Sequence, residues 1–129
     1  MRIVNPLNED EDIKTEIRKQ IDSSDNRFET FKWQKLLEFV LYLHAEGPTT
    51  ILYGQFMFGK LWLQPSNINS QVSAEIWVDR YDYAPLRDGL PETHYRLQIS
   101  HQDSPTTTDA RAKTVEEAEQ VLKRVFDMK

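Results

Sequence analysis

Eight consecutive residues, Gly54, Gln55, Phe56, Met57, Phe58, Gly59, Lys60 and Leu61, reproduce the glycine and lysine spacing of a phosphate-binding loop up to its last position. That position needs a Ser or Thr hydroxyl to hold magnesium, and Leu61 offers none. The loop also needs small residues, so that backbone N–H groups can wrap a phosphate at the start of a helix. Phe56, Met57 and Phe58 suit a strand instead, and the continuation LWLQP does not open a helix. The match is a coincidence of spacing, and no cofactor is expected.

The other candidate chemistries are thinner. His94 and His101 differ by an odd number of positions, so an unbulged strand carrying both would point them to opposite faces. His44 falls near the end of a helical stretch, where an imidazole is favoured by the helix dipole. No His pair at helical spacing with an acidic neighbour exists, and no metal site is expected. Nucleophilic catalysis lacks its parts: there is no cysteine and no serine in a G-x-S-x-G elbow. Ser100 beside His101 diverges from it on a strand. Carboxylates are plentiful, so a small enzyme working through an Asp or Glu pair stays open as an alternative, but no catalytic residue can be named.

The elements that position these residues belong to one domain of 129 residues, long enough to close a core. Hydrophobic residues make up 39% and charged residues 29%, the balance of a folded chain. No apolar run approaches the roughly 18 residues that cross a bilayer, and the start MRIVNPLNEDED is not that of a signal peptide. The absence of cysteine rules out disulfides and thiolate metal sites, and favours a cytoplasmic protein with no membrane association. The net charge of −5 is spread along the chain apart from Glu9, Asp10, Glu11 and Asp12, and no basic stripe is visible.

Residues 1–9 read as an extended lead-in, with Pro6 opposing helix at Asn5. Ile13, Ile17 and Ile21 give a narrow apolar seam to a helix over residues 10–21. A second helix begins at Asn26, with Glu29 placed as in a capping box, and stops at Gly47 and Pro48. Its face is Phe28, Phe31, Leu36, Leu37, Val40 and Leu43, while Trp33, Phe39, Leu41 and Tyr42 fall off it. This width predicts contacts on two sides.

The period then changes to two. Residues 50–63 predict one long strand bent at Gly54 or Gly59. Residues 71–79 alternate Val72, Ala74, Ile76 and Val78 with Ser73, Glu75, Trp77 and Asp79, and residues 94–101 turn Tyr95, Leu97 and Ile99 inward. Residues 79–93 and 103–112 read as polar loops. The last helix has the strongest local signals: Thr114 and Glu117 form a capping box, and Val115, Ala118, Val121, Leu122 and Val125 form a packing face. The expected fold is α+β, a three-stranded antiparallel meander with N-terminal helices and one C-terminal helix, in the order α-α-β-β-β-α.

Both faces of the first strand are apolar, with Leu52, Phe56, Phe58 and Trp62 on one and Ile51, Tyr53, Met57, Leu61 and Leu63 on the other. Trp77 lies opposite the aliphatic residues of its strand, on the side that would also receive His94, Arg96, Gln98 and Ser100. Either a helix covers each face and these aromatics are core, or the helices share one face and an aromatic patch is left for a partner. The loop carrying Arg80, Tyr81, Tyr83 and Arg87 is rich in residue types favoured at binding hot spots, though its tyrosines could equally pack on the sheet edge.

The reading adopted is a small protein-interaction module. It binds a protein partner, or a second copy of itself, through Phe58, Trp62, Trp77, Arg80, Tyr81, Tyr83 and Arg87. The acidic run 9–12 and the last helix allow a variant in which acidic residues occupy a basic groove on the partner. The alternative is nucleic-acid binding. The final α-β-β-β-α portion resembles double-stranded-RNA-binding domains in element order, which implies a basic clamp at the start of the last helix. Here that helix begins Thr114, Val115, Glu116, Glu117, and glutamates there repel phosphate, so nucleic acid is disfavoured.

Overall fold

A computed structural model describes residues 2–25, 27–46, 51–57, 59–65, 71–78 and 95–126. The extended lead-in is in fact a hairpin. Ile3 and Val4 are β-branched and buried, and they build strand β1 (Arg2–Asn5). The Leu7 N–H donates to Asn5 Oδ1 at 2.9 Å, and the chain returns as β2 (Asn8–Asp12). Helix α1 (Ile13–Ser23) follows at once, because the Asp12 carboxylate accepts from the Lys14 N–H at 3.0 Å. Ile13 and Ile17 are buried and Ile21 packs beside them, as their spacing predicts.

Helix α2 (Arg27–Glu46) packs against α1, α3 (Val115–Val125), β1 and β5 (Val72–Val78), so its two-sided apolar surface is used. The predicted face needs correction. Trp33 and Phe39 are core residues beside Leu36, Val40 and Leu43, whereas Phe31 and Leu37 are only partly buried. The expected cap, Asn26, lies outside the described residues.

The three-stranded meander is overturned: among the described residues the sheet has seven strands in the order β2-β1-β3-β4-β5-β6-β7. The strand expected over residues 50–63 is a hairpin of β3 (Ile51–Met57) and β4 (Lys60–Gln64). Gly59 makes the reversal, with φ of 77°, a backbone region that other residues rarely adopt. Strands β5 and β6 (Tyr95–His101) occur as expected, and Ala74, Ile76, Val78, Tyr95, Leu97 and Ile99 are buried. The presumed loop 103–112 contains a seventh strand, β7 (Thr107–Ala112), paired along β6. Its sequence TTDARA has little apolar content to alternate, which hides it. Five strands after α2, and a sheet entered by β1, also remove the resemblance to the α-β-β-β-α order of double-stranded-RNA-binding domains.

Strand β1 runs parallel to β3, with Ile3 beside Leu52, while every other neighbouring pair is antiparallel. A parallel pair needs a crossover connection, and β2, α1 and α2 supply it. Helix α3 returns from β7 to β6 and α2. It starts where predicted, with Glu117 N–H donating to Thr114 Oγ1 at 3.1 Å and Lys113 N–H donating to Glu117 Oε2 at 2.9 Å. Ala118, Val121 and Leu122 are buried, with Val115 and Val125 at the margin.

Helices and strands close one core that contains Ile3, Ile17, Leu36, Phe39, Leu52, Leu61, Ile76, Leu97 and Leu122. The strand residues in it form continuous rows through the register, such as Phe56, Leu61, Ile76, Leu97 and Ala110. All three helices therefore pack on the same sheet face. The Gly59 reversal also separates residues that an unbroken strand would group: Phe56 faces the helices, 4.9 Å from the Trp33 ring centre, and Trp62 faces away.

Gly54 sits in one of these inward rows. A Cβ there would lie 2.7 Å from Ile3 Cγ2, 3.0 Å from Leu63 Cδ2 and 3.2 Å from the Trp62 carbonyl oxygen. Ile3 is stiff and Trp62 contributes backbone, so neither yields easily. Gly54→Ala is expected to lower stability by about 1–3 kcal/mol, as overpacked cores do. Urea unfolding checks this, and an unchanged midpoint would mean that β1 does not press on β3 this closely.

Candidate functional site

The sheet face away from the helices is also built in rows. Lys60 lies next to Trp77 by extension of the β4–β5 register, Trp77 pairs with Arg96, and Arg96 pairs with Arg111. The adjacent row is Gln55, Trp62, Glu75, Gln98 and Asp109. Trp62 and Trp77 are therefore diagonal neighbours on adjacent strands, within reach of one another's surroundings. No described helix packs on this face, and both tryptophans are half-buried.

Trp77 is held between two cations. Lys60 Nζ stands 4.3 Å from its ring centre, and Arg96 Cζ stands 5.7 Å away from the neighbouring strand. The negative face of the indole attracts both, with about 0.5–1 kcal/mol or more for each contact. Lys60 Nζ also lies 3.8 Å from Glu75 Oε2, which ties the cation to the same strand as the tryptophan. The result is an aromatic plate with a positive group from each flanking strand, on a protein whose net charge is −5.

Of the seven residues singled out from the sequence, the structure brings Trp62 and Trp77 together on this face. Phe58, Arg80, Tyr81, Tyr83 and Arg87 lie outside the described residues. Arg96, Gln98 and Ser100 occupy the same side, as alternation along β6 predicts. Lys60 was hidden inside the apparent phosphate-loop match. Recognising Gly59 as a hairpin turn would have placed it, because β4 then begins at Lys60 and pairs onto β5. The eight-residue match itself is strand, turn and strand, with Gly54 buried in β3, so the geometry that wraps a phosphate at a helix start is missing.

The remaining chemical groups do not converge. His44 is on α2 and His101 at the exposed end of β6, while His94 lies outside the described residues. Among the described residues no three of His, Asp and Glu gather as a metal site would require. One carboxylate is deeply buried: Glu119 is 3% exposed, and its Oε1 is 3.4 Å from the Tyr42 hydroxyl and 3.7 Å from Lys123 Nζ. This group joins α2 to α3.

No protein-family model, curated protein or solved structure matches the chain. Its functional reading rests on geometry.

Two phenols give the fold an alkaline limit. Burial pushes Tyr95 far up from its ordinary value of 10.0, with Glu38 and Glu116 adding to the effect, while its hydroxyl donates to the Lys35 carbonyl at 2.8 Å. Tyr42 is also raised, first by burial and then by the carboxylates of Glu119, Glu46 and Glu116. A group whose folded pKa is raised contributes fully below its unfolded value and loses that contribution as pH rises through the folded value. The urea midpoint is therefore expected to fall above about pH 10. Tyr95→Phe should lower the midpoint at neutral pH and flatten the alkaline fall. An equally steep fall in the Tyr42→Phe, Tyr95→Phe double variant would assign it to other groups.

Proposed function

We propose that this chain is a protein-interaction module that takes an acidic partner segment on the helix-free face of its sheet. The observation that carries this reading is Trp77 between Lys60 and Arg96, with Trp62 diagonal to it. Tryptophan and arginine dominate binding hot spots because each offers a large rigid contact area with a polar handle. The flanking cations add a preference for carboxylates, and charge complementarity of this kind sets partner choice and encounter rate more than raw affinity. Arg80, Tyr81, Tyr83 and Arg87 belong in sequence to the connection between β5 and β6, and the proposal includes them as a second contact. Phe58 is included as the residue beside the β3–β4 reversal. No described helix is long and apolar enough to cross a membrane. The lack of cysteine supports a cytoplasmic setting.

The same row also favours a second reading. Aromatic rings on a sheet can stack single-stranded bases, and lysine or arginine beside them can meet phosphates. A protein partner is preferred because Glu75 and Asp109 interleave with the cations, and because Glu116 and Glu117 open α3. Continuous phosphate contact would meet these carboxylates.

A pull-down from native extract with the tagged chain separates the two, run with and without nuclease and beside Trp77→Ala and Lys60→Glu. The expected result is a protein that survives nuclease, is lost with Trp77→Ala and is weakened about tenfold or more by Lys60→Glu, equivalent to about 1.4 kcal/mol. Recovery that vanishes with nuclease would transfer the site to nucleic acid. Recovery unchanged by both substitutions would remove this face from function.

A further inference from the structure

The two edges of the sheet are built differently. At one edge, β2 reads NEDED, and its pairing with β1 shifts register between Val4 and Asn5. A broken register and a run of like charge both hinder an edge strand from pairing with another chain. At the other edge, β7 has neither. Its six residues pair with β6 in unbroken register from Tyr95–Ala112 to Ser100–Thr107, with no proline and no charge turned inward. Thr107, Thr108, Asp109 and Arg111 are exposed, and among the described residues β7 has a strand neighbour on one side only.

The order of side chains on β7 makes it complementary to itself. Thr107, Asp109 and Arg111 point to the tryptophan face, and Thr108, Ala110 and Ala112 to the helix face. Two copies joined edge to edge about a two-fold axis normal to the sheet run antiparallel and keep each face on its own side. Symmetry then requires that if residue i meets j, j meets i. Centring the axis on Asp109 would set two carboxylates against each other, and centring it on Arg111 would set two guanidiniums together. Centring it on Thr108 would leave both charges facing uncharged residues. Centring it on Ala110 places each Asp109 opposite Arg111 of the other copy, twice, with the two Ala110 residues facing one another and Thr108 opposite Ala112. Opposite charges directly across a strand pair stabilise it, and like charges do the reverse.

We infer that β7 is a self-pairing edge. A second copy of this chain adds to it antiparallel, in the register centred on Ala110, to make a continuous fourteen-stranded sheet. This contact uses the strand edge and is separate from the partner surface proposed above. It carries that surface across the junction, because Arg111 at the end of the Trp77 row meets Asp109 at the end of the other copy's Trp62 row.

Charge reversal tests the register. Sedimentation velocity over a concentration series should show the wild-type chain in a monomer–dimer equilibrium. Asp109→Arg alone and Arg111→Asp alone should each raise the dimer dissociation constant about tenfold or more, because each sets like charges across the junction. An equimolar mixture of the two variants should form a heterodimer, since one edge is then wholly cationic and the other wholly anionic. The Asp109→Arg, Arg111→Asp double variant should dimerise again as wild type does. A wild-type chain that stays monomeric at every concentration overturns the inference. A dimer indifferent to both single reversals overturns it too, as does a mixture that fails to associate. Circular dichroism of each variant establishes that the sheet is intact, and the double variant keeps the test decisive if a single reversal disturbs folding.

Discussion

The parallel pairing of β1 with β3 governs the architecture. Antiparallel neighbours can be joined by a tight turn, but parallel neighbours oblige the chain to travel back over the sheet before it can continue. Here the return is made by β2, α1 and α2, and it lays two helices with wide apolar surfaces over one face. Once Ile13, Ile17, Trp33, Leu36 and Phe39 occupy that face, every inward strand position must be apolar and close-fitting. This is why Gly54 has no room for a side chain beside Ile3. The last helix then has one place to bury Ala118, Val121 and Leu122, which is the remaining part of the same face under β6 and β7.

The opposite face follows from this crowding. With the three described helices on one side, the outward residues of β4, β5 and β6 meet none of them, and their large rings take contacts within the sheet itself. Trp77 is so stabilised by Lys60 and Arg96 from the two flanking strands, and Lys60 in turn by Glu75. These contacts run from strand to strand, perpendicular to the chain. Their existence depends on the register that the inner rows impose: a slip of one residue would turn Trp77 inward and Ile76 outward.

Legibility in the sequence tracked the strength of local signals. The capping box at Thr114, the alternation in β5 and β6 and the isoleucine seam of α1 each declare themselves within a few residues, and each stands where it was expected. Strands β1 and β7 do not. Arg2–Asn5 is too short to show a period, and its strand character comes from a partner some fifty positions away in β3. Thr107–Ala112 is an edge strand with only two small apolar residues, so it reads as loop until β6 is present to pair with. The hairpin at Gly59 reads as one strand because strong strand formers stand on both sides of it, and an unbroken strand puts Trp62 and Phe56 on the same face. Within the candidate site, the Gly59 turn decides the face of Trp62, and only Trp77 and Arg96 were visible from alternation alone. Lys60 was not, since its position depends on a turn and on a cross-strand register that composition does not encode.

The two tryptophans of the outward face lie outside the main core. The core is complete without them: the inward rows are filled by aliphatic residues together with Trp33, Phe39 and Tyr95, and most of these are fully buried. The outward face is not all left to water: the register places Val4 and Gln64 on it and both are buried, while Trp62 and Trp77 are half-buried. Cation–aromatic contacts of about 0.5–1 kcal/mol do not outweigh the roughly 1.5–3 kcal/mol that a large ring gains by complete burial. The two half-buried indoles therefore keep apolar area whose further burial would be favourable. On the proposed reading, a partner segment that covers them would complete that burial, and the charges beside them would favour an acidic one.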